Sequence, residues 1–380
     1  MADIQEQSGA LSLNGPLSTR TGFPPGDEQH GHVPCYLFRV YTEDSDGHTD
    51  GDWVMSRDHV EGNHHTPTIT PNVLESATTP PPPKETARLI RGRLKWQHLE
   101  KDNLMSWTSS LLFAIQYVFH KHAFSRGSLA FEDINILVVD TAGFPADSFI
   151  RDMDLINAYC TYDAELENFR KLRTEKLRGG EEFYFGEFLS QGALAIGGSD
   201  GGGRRSKIVS ARSMIDARLL ELRFAFQQSH DDPKEGWPRK VLELRADFIT
   251  NPPSRTVSRR RIGLACETGR LFGREFRLPV AIQLAAICPG RLAVNTVALA
   301  FEGKGFDGKP HTYIQLLLSL SDRRTDHSLT VPLFTDDELS ACAAESSEMM
   351  QSPKLPELER ARLIADMIYA SYCHNKVQGA

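Results

Sequence analysis

No two of the six cysteines, Cys35, Cys160, Cys266, Cys288, Cys342 and Cys373, stand close enough to form a CxxC pair. The chain therefore lacks both the paired thiols of a tetrahedral zinc site and the dense framework of a small disulfide-stapled domain, and the six read as reduced, mostly buried thiols. Close histidines are few: His30 with His32, His64 with His65, and His120 with His122. The second pair falls in a polar loop, and His120 and His122, two apart on a helix, point about 200° from each other. No metal site is expected. Long apolar runs are missing as well. Stretches such as Ile134–Val139 and Leu316–Leu318 fall far short of the roughly 20 residues that cross a bilayer, so no membrane span is expected. The opening MADIQEQSGALSLNGP is acidic and polar where a secretory signal is basic and then apolar, which points to an intracellular protein, cytoplasmic or nuclear. Positive charge is not in excess either: 50 acidic against 43 basic side chains give a formal charge of −7. Without an overall basic field, a dedicated nucleic-acid binder is not expected. The glycine cluster Gly197–Gly203 is not followed by the GK[ST] of a phosphate loop, and there is no internal repeat.

What is present is ordinary globular material, 380 residues with 40% hydrophobic and 24% charged, enough for two compact units and some disorder. Residues 1–32 are polar and read as a disordered tail. Order begins at Cys35–Tyr41, a strand dense in aromatic and β-branched residues, closed by the turn Asp44-Ser45-Asp46-Gly47. An inserted loop, 62–84, ends in a polyproline run. A helix over Glu85–Leu99 follows, then a strand over Leu104–Ser109. Ser110–His122 carries Leu111, Ala114, Ile115, Val118 and Phe119 at helical spacing, with Ser109 or Ser110 suited to the N-cap. Ile134–Asp140 is a strand, Asp147–Lys176 is helical in character, and Glu181–Leu189 is either strand or loop. After a Gly-rich loop at 197–205, Met214–Gln227 predicts one helix that closes a domain spanning 33–228. A linker over 229–258 then leads to a mostly helical region, 259–380. Within that region Arg277–Cys288, Leu292–Phe301 and Tyr313–Leu320 fit strands or short helices, Thr335 caps a helix start, and Pro356–His374 is the clearest helix of the chain, with Leu358, Leu363, Met367, Ile368 and Tyr372 along one face. Arg259-Arg260-Arg261, preceded by Arg255, reads as a solvated charge run or a basic patch.

The order of these elements is not generic. Leu37-Phe38-Arg39-Val40, Leu94-Lys95-Trp96, Ser106-Trp107-Thr108-Ser109-Ser110, Ile136–Thr141 and Gly186-Glu187-Phe188-Leu189 occur in succession. Together they resemble a fungal domain family of unknown function, itself similar in layout to the ADP-ribosyltransferase superfamily, over roughly residues 34–226. The resemblance implies an α+β fold, a split-sheet transferase-like domain of the heat-labile-enterotoxin layout, followed by the helix-rich region. It implies NAD as the substrate, consumed by mono-ADP-ribosyl transfer or by glycohydrolysis. Breaking the bond between nicotinamide and ribose passes through a cationic sugar, whose charge must be stabilised as it develops. By the resemblance, Arg39 contacts phosphate or ribose, Ser106, Trp107 and Thr108 form the edge of the nicotinamide–ribose pocket, and Glu187 is the catalytic acid.

Two positions depart from the pattern. Trp107 stands where the pocket edge has a small residue, and can either crowd the pocket or offer a stacking face. Phe185 stands where transferases that modify arginine or asparagine place the Gln or Glu that orients the acceptor, leaving the acceptor open. The same residues also have plainer uses. Arg39 suits an ion pair with a domain acid, Ser106 and Thr108 suit strand and cap positions, Glu187 suits a solvated charge, and Trp96 and Trp107 suit the core. A catalytically degenerate scaffold of the same fold that binds protein partners is therefore the competing expectation.

Overall fold

The computed structural model describes residues 33–61, 83–97, 99, 102–124, 129–144, 148–174, 183–197, 205–223, 226, 236–249, 256–301 and 356–378. The expected tail, nearly all of the 62–84 loop, Tyr313–Leu320 and the helix start at Thr335 lie outside them.

Along the chain come β1 (Tyr36–Tyr41), the short strands β2 (His48–Thr49) and β3 (Trp53–Met55), α1 (Arg57–Glu61), α2 (Pro83–Leu94), β4 (Leu104–Thr108), α3 (Leu111–Phe124), β5 (Asn135–Asp140) and β6 (Ile150–Arg151). Then follow α4 (Asp152–Tyr159), α5 (Ala164–Thr174), β7 (Glu187–Gln191), β8 (Ala193–Ala195), β9 (Ser206–Ser210), α6 (Ala211–Asp216) and α7 (Leu219–Leu222). The remainder is helical: α8 (Gly236–Ile249), α9 (Arg259–Gly269), α10 (Gly273–Ala286), α11 (Val294–Phe301) and α12 (Pro356–Gln378).

The strands build a mixed α/β fold with two antiparallel sheets, one of six strands in the order β6-β7-β4-β1-β5-β9 and one of three in the order β2-β3-β8. Alternation along each strand assigns its side chains to two cores. Phe38, Leu104, Ile136, Val138, Leu189 and Val209 face the helices. Leu37, Met105, Trp107, Leu137, Val139 and Phe188 face the small sheet, where Val54, Leu194 and Ile196 meet them. Gly192 joins the two sheets: its φ of 65° is a left-handed conformation that suits glycine, and it turns the chain from β7 in one sheet into β8 in the other.

Where sequence and structure differ, a local reason is visible. The single helix expected over Met214–Gln227 is broken into α6 and α7, because Arg218 sits at φ 70°, outside the helical region. The expected linker 229–258 carries α8, which contributes Trp237, Val241, Leu242 and Leu244 to the core. That core runs without a break from Phe38 and Leu111 through Val280 to Ile364, so the C-terminal helices share it with the sheet rather than forming a second compact unit. The open segments Arg277–Cys288 and Leu292–Phe301 are helices. On α12 the buried face is Leu358, Ala361, Ile364, Ala365 and Ile368, while Leu363 is half exposed on another side. The arginines of the charge run open α9, where Arg260 pairs with Glu221 at 2.9 Å.

Candidate functional site

The pair β1 and β4 does not run as a full ladder. β1 matches β5 through six residue pairs but meets β4 only at Phe38↔Thr108. Beyond that pair the strands diverge, and the backbone carbonyl of Ser106 is left without the partner a continued ladder would supply. Arg39 takes it: its Nη1 donates to the Ser106 oxygen at 3.1 Å. The guanidinium lies over the Trp107 ring, 5.9 Å from the centroid, and its Nε is buried without a hydrogen bond. Among the described residues Arg39 has no ion-pair partner, so the domain acid expected for it is not there. Burial first, and the nearby Arg93 second, push its pKa down to about 10. A buried cation with no carboxylate in ion-pair contact among the described residues, only Asp102 and Asp46 acting from farther off, favours an incoming anion.

The splay opens into a half-open cleft of about 260 Å³. Its lining includes all five residues named from the sequence, Arg39, Ser106, Trp107, Thr108 and Glu187. They arrive from three neighbouring strands, and Ser106, Thr108 and Glu187 share the helix-facing side through the register Thr108↔Glu187. Their surroundings differ. The Ser106 hydroxyl accepts from Arg93 Nε at 3.0 Å and keeps its own proton for another acceptor. Thr108 is committed to the fold: it donates to the Phe185 carbonyl at 2.8 Å and accepts from the Ser110 amide at 3.0 Å, fixing the turn from β4 into α3. Ser110 Oγ then accepts from the Phe113 amide at 3.2 Å, as an N-cap should. Trp107 directs its ring toward the inter-sheet core, with Nε1 donating to Ser190 Oγ at 2.7 Å and an edge contact to Phe149. It is a floor beneath Arg39.

Glu187 is not the solvated charge its acidic neighbours imply. It is 8% exposed, and its Oε2 accepts from Arg173 Nη2 at 2.6 Å. Arg173 also grips Asp152, the wholly buried first residue of α4. Burial first, then the Glu187 charge, hold the Asp152 carboxyl above the usual range despite the pull of Arg173. One guanidinium thus serves two buried carboxylates, and only Glu187 of the three lines the cleft.

Several lining residues carry no sequence motif. Arg93, at the end of α2, is held by Asp102 at 3.0 Å. Tyr117 and Lys121 project from α3, with the ammonium 5.6 Å from the Tyr117 ring; burial lowers the Lys121 pKa. Asp44, Ser45 and Asp46 edge the opening. Trp96 caps α2 in an unusual way. Gln97 N–H donates to Gly92 O at 2.9 Å and Trp96 N–H to Arg93 O at 3.0 Å, the paired bonds of a Schellman termination. That motif puts its left-handed residue at Trp96, φ 57°, a place glycine normally takes. The ring rests edge-on against Tyr117 at 4.5 Å and tilted against Trp237 at 5.3 Å, and remains 45% exposed. Sequence reasoning assigned Trp96 to the core. The available signal was the placement of Tyr117 and Lys121 one turn apart on α3.

The position two before Glu187 is also decided by packing. Phe185 is buried, stacked on Phe113 at 4.9 Å and covered by the Arg245 guanidinium at 5.3 Å.

Residues 32–186 match the domain of unknown function DUF7587. The match takes in β1 through α5 and ends immediately before Glu187, so the cleft is built mainly within the DUF7587 segment and completed by the strand after it. No curated protein and no solved structure matches the chain. Among the described residues no helix is long and apolar enough to cross a membrane, and no group of three or more His, Cys, Asp or Glu side chains is placed to hold a metal ion.

Proposed function

We propose that the cleft takes NAD as a substrate and that the DUF7587 segment, with β7, cleaves the bond between nicotinamide and ribose. The observation that carries the reading is the meeting of Arg39, Ser106 and Glu187 at one cleft from three adjacent strands. In this reading Arg39 and Arg93 face the phosphates, Ser106 donates its hydroxyl proton to the bound ligand, and the Glu187 carboxylate accepts from a ribose hydroxyl while its negative charge stabilises the developing cationic sugar. Arg173 holds that carboxylate in place.

Phe185 favours water as the acceptor. Its ring is engaged in the core, so nothing at that position orients an arginine or asparagine side chain, and glycohydrolysis fits the site better than transfer to protein. The competing reading, a module that binds without turnover, draws on the same ion pair, because a Glu187 held by Arg173 can be a purely structural charge.

Arg39 gives a clean binding test. Since it has no ion-pair partner among the described residues, replacing it strands no acid. Arg39→Gln in the full chain is expected to leave the thermal midpoint unchanged or raised, while weakening NAD in calorimetric titration by roughly 10- to 100-fold, the worth of a charge-assisted hydrogen bond or two. Equal affinity in the variant, or no binding by the wild type, contradicts the assignment of the cleft to NAD.

A further inference from the structure

We infer that Trp96 forms a stacking subsite for the planar heterocycle of a phosphorylated nucleotide, held open by a backbone conformation that the ring itself disfavours. The inference deepens the NAD reading and rests on it for the identity of the dinucleotide, but the subsite is defined by its own geometry. Three observations converge. The Schellman termination of α2 demands a left-handed residue, and the largest side chain occupies it where glycine would satisfy the same two hydrogen bonds without steric conflict. Full burial does not compensate the conflict, because the ring keeps 45% of its surface exposed. Trp96 lines the cleft, with its ring edge-on against Tyr117, which lines it too, and tilted against Trp237. A strained residue whose exposed face lines a cavity belongs to a ligand more readily than to the fold.

The neighbouring charges specify the ligand class. Arg93 lies three residues before Trp96 and also lines the cleft, as do Arg39 and Lys121. Asp44, Asp46 and Glu187 line the same cleft and Asp102 pairs with Arg93 at 3.0 Å, so the anionic tail falls to Arg39, which has no ion-pair contact among the described residues. An exposed indole in the same cleft suits a flat ring attached to a phosphate, since stacking is indifferent to the ring's identity. Both halves of NAD meet that description.

The test exploits the backbone. Trp96→Gly removes the ring and suits the left-handed conformation, whereas Trp96→Phe keeps a ring at the same φ. Each full-length variant is titrated calorimetrically with NAD, AMP and nicotinamide mononucleotide, alongside thermal melting. Trp96→Gly is expected to melt no lower than Trp96→Phe and to bind NAD roughly 5- to 150-fold more weakly than wild type, the range for loss of one base–aromatic stack, while Trp96→Phe keeps most of the affinity. The mononucleotide that loses the same factor identifies the half that stacks. Unchanged affinity for all three in Trp96→Gly overturns the subsite. Mononucleotide binding that depends on Trp96, without release of nicotinamide from NAD, retains the subsite and removes the catalytic reading. No binding of any of the three by the wild type removes both.

Discussion

Arg173→Met is expected to lower the unfolding free energy of the full chain by about 3–5 kcal/mol, the usual consequence of removing one member of a buried ion cluster. Asp152 has no exposed surface, Arg173 is 4% exposed and Glu187 8%, so water screens their charges little. Methionine fills much of the arginine's volume, leaving two carboxylates about a shared site with no cation. The loss comes from those stranded acids rather than from a missing packing contact, which fixes two further features of the result. It should shrink as pH falls, because protonation removes the uncompensated charges, and Asp152, already held above the usual carboxylate range, takes up its proton first. It should also be partly recovered when Asp152→Asn and Glu187→Gln are added. Denaturant midpoints at pH 8 and pH 5 read both. A loss below about 1 kcal/mol, the scale of an exposed pair, would contradict the claim that Arg173 fixes Glu187 in a dry environment.

A comparable loss, about 3–5 kcal/mol, is expected from Arg245→Met, together with a change at the cleft that Arg173→Met does not produce through the same route. Arg245 on α8 joins three distant parts of the chain. Its Nε and Nη2 reach the two carboxylate oxygens of Glu357, at 2.8 and 2.6 Å, and its Nη1 donates to the Tyr184 carbonyl at 2.6 Å. Glu357 lies in the first turn of α12, 2% exposed, and also accepts from Ser110 Oγ at 2.5 Å. The guanidinium thus docks the C-terminal helix and holds the segment at Tyr184, three residues before Glu187, the first residue of β7. Removing it should free that segment, raising hydrogen exchange at 184–187 and at the start of α12 together. Exchange that rises at α12 alone would show that the docking helix and the Glu187 strand are uncoupled.

The legible parts of the fold are those that local chemistry decides. β1 and β5 are dense in aromatic and β-branched residues, β4 is a short strand-like run of Leu104, Met105 and Trp107 with Ser106 and Thr108 between and after them, α3 has its cap and its spacing, and α12 opens with proline and two acids. Shorter elements were hidden. β9 is five residues beginning with a serine and a lysine, and it becomes a strand only because β5 offers it a five-pair register. α8 opens Gly-Trp-Pro, which reads as a loop, yet proline is tolerated in the first turn of a helix. The break at Arg218 leaves no mark in the apolar spacing that predicts one helix there. At the cleft, Arg39, Ser106, Trp107, Thr108 and Glu187 came forward through the resemblance and not through periodicity. Asp152 and Arg173 could not be found that way, because a charged residue in a helical stretch is ordinarily a surface residue, and only the packing of α4 against β7 and of α5 against α4 buries these two. Trp96 stands in the Leu94-Lys95-Trp96 run, but its place at the cleft lies in a backbone angle and an exposed face, and neither is written in the residue type.

The central claim is that Glu187 acts on NAD within this cleft, and free nicotinamide released from NAD by the full-length chain measures it most directly. The account predicts release by the wild type above the uncatalysed background, and a fall of about 10²- to 10³-fold in Glu187→Gln, the scale for losing one charge aimed at a transition state. Glutamine keeps the shape and can still accept from Arg173, so the variant should remain folded. Equal release from the wild type and Glu187→Gln, at background or above it, would contradict the claim.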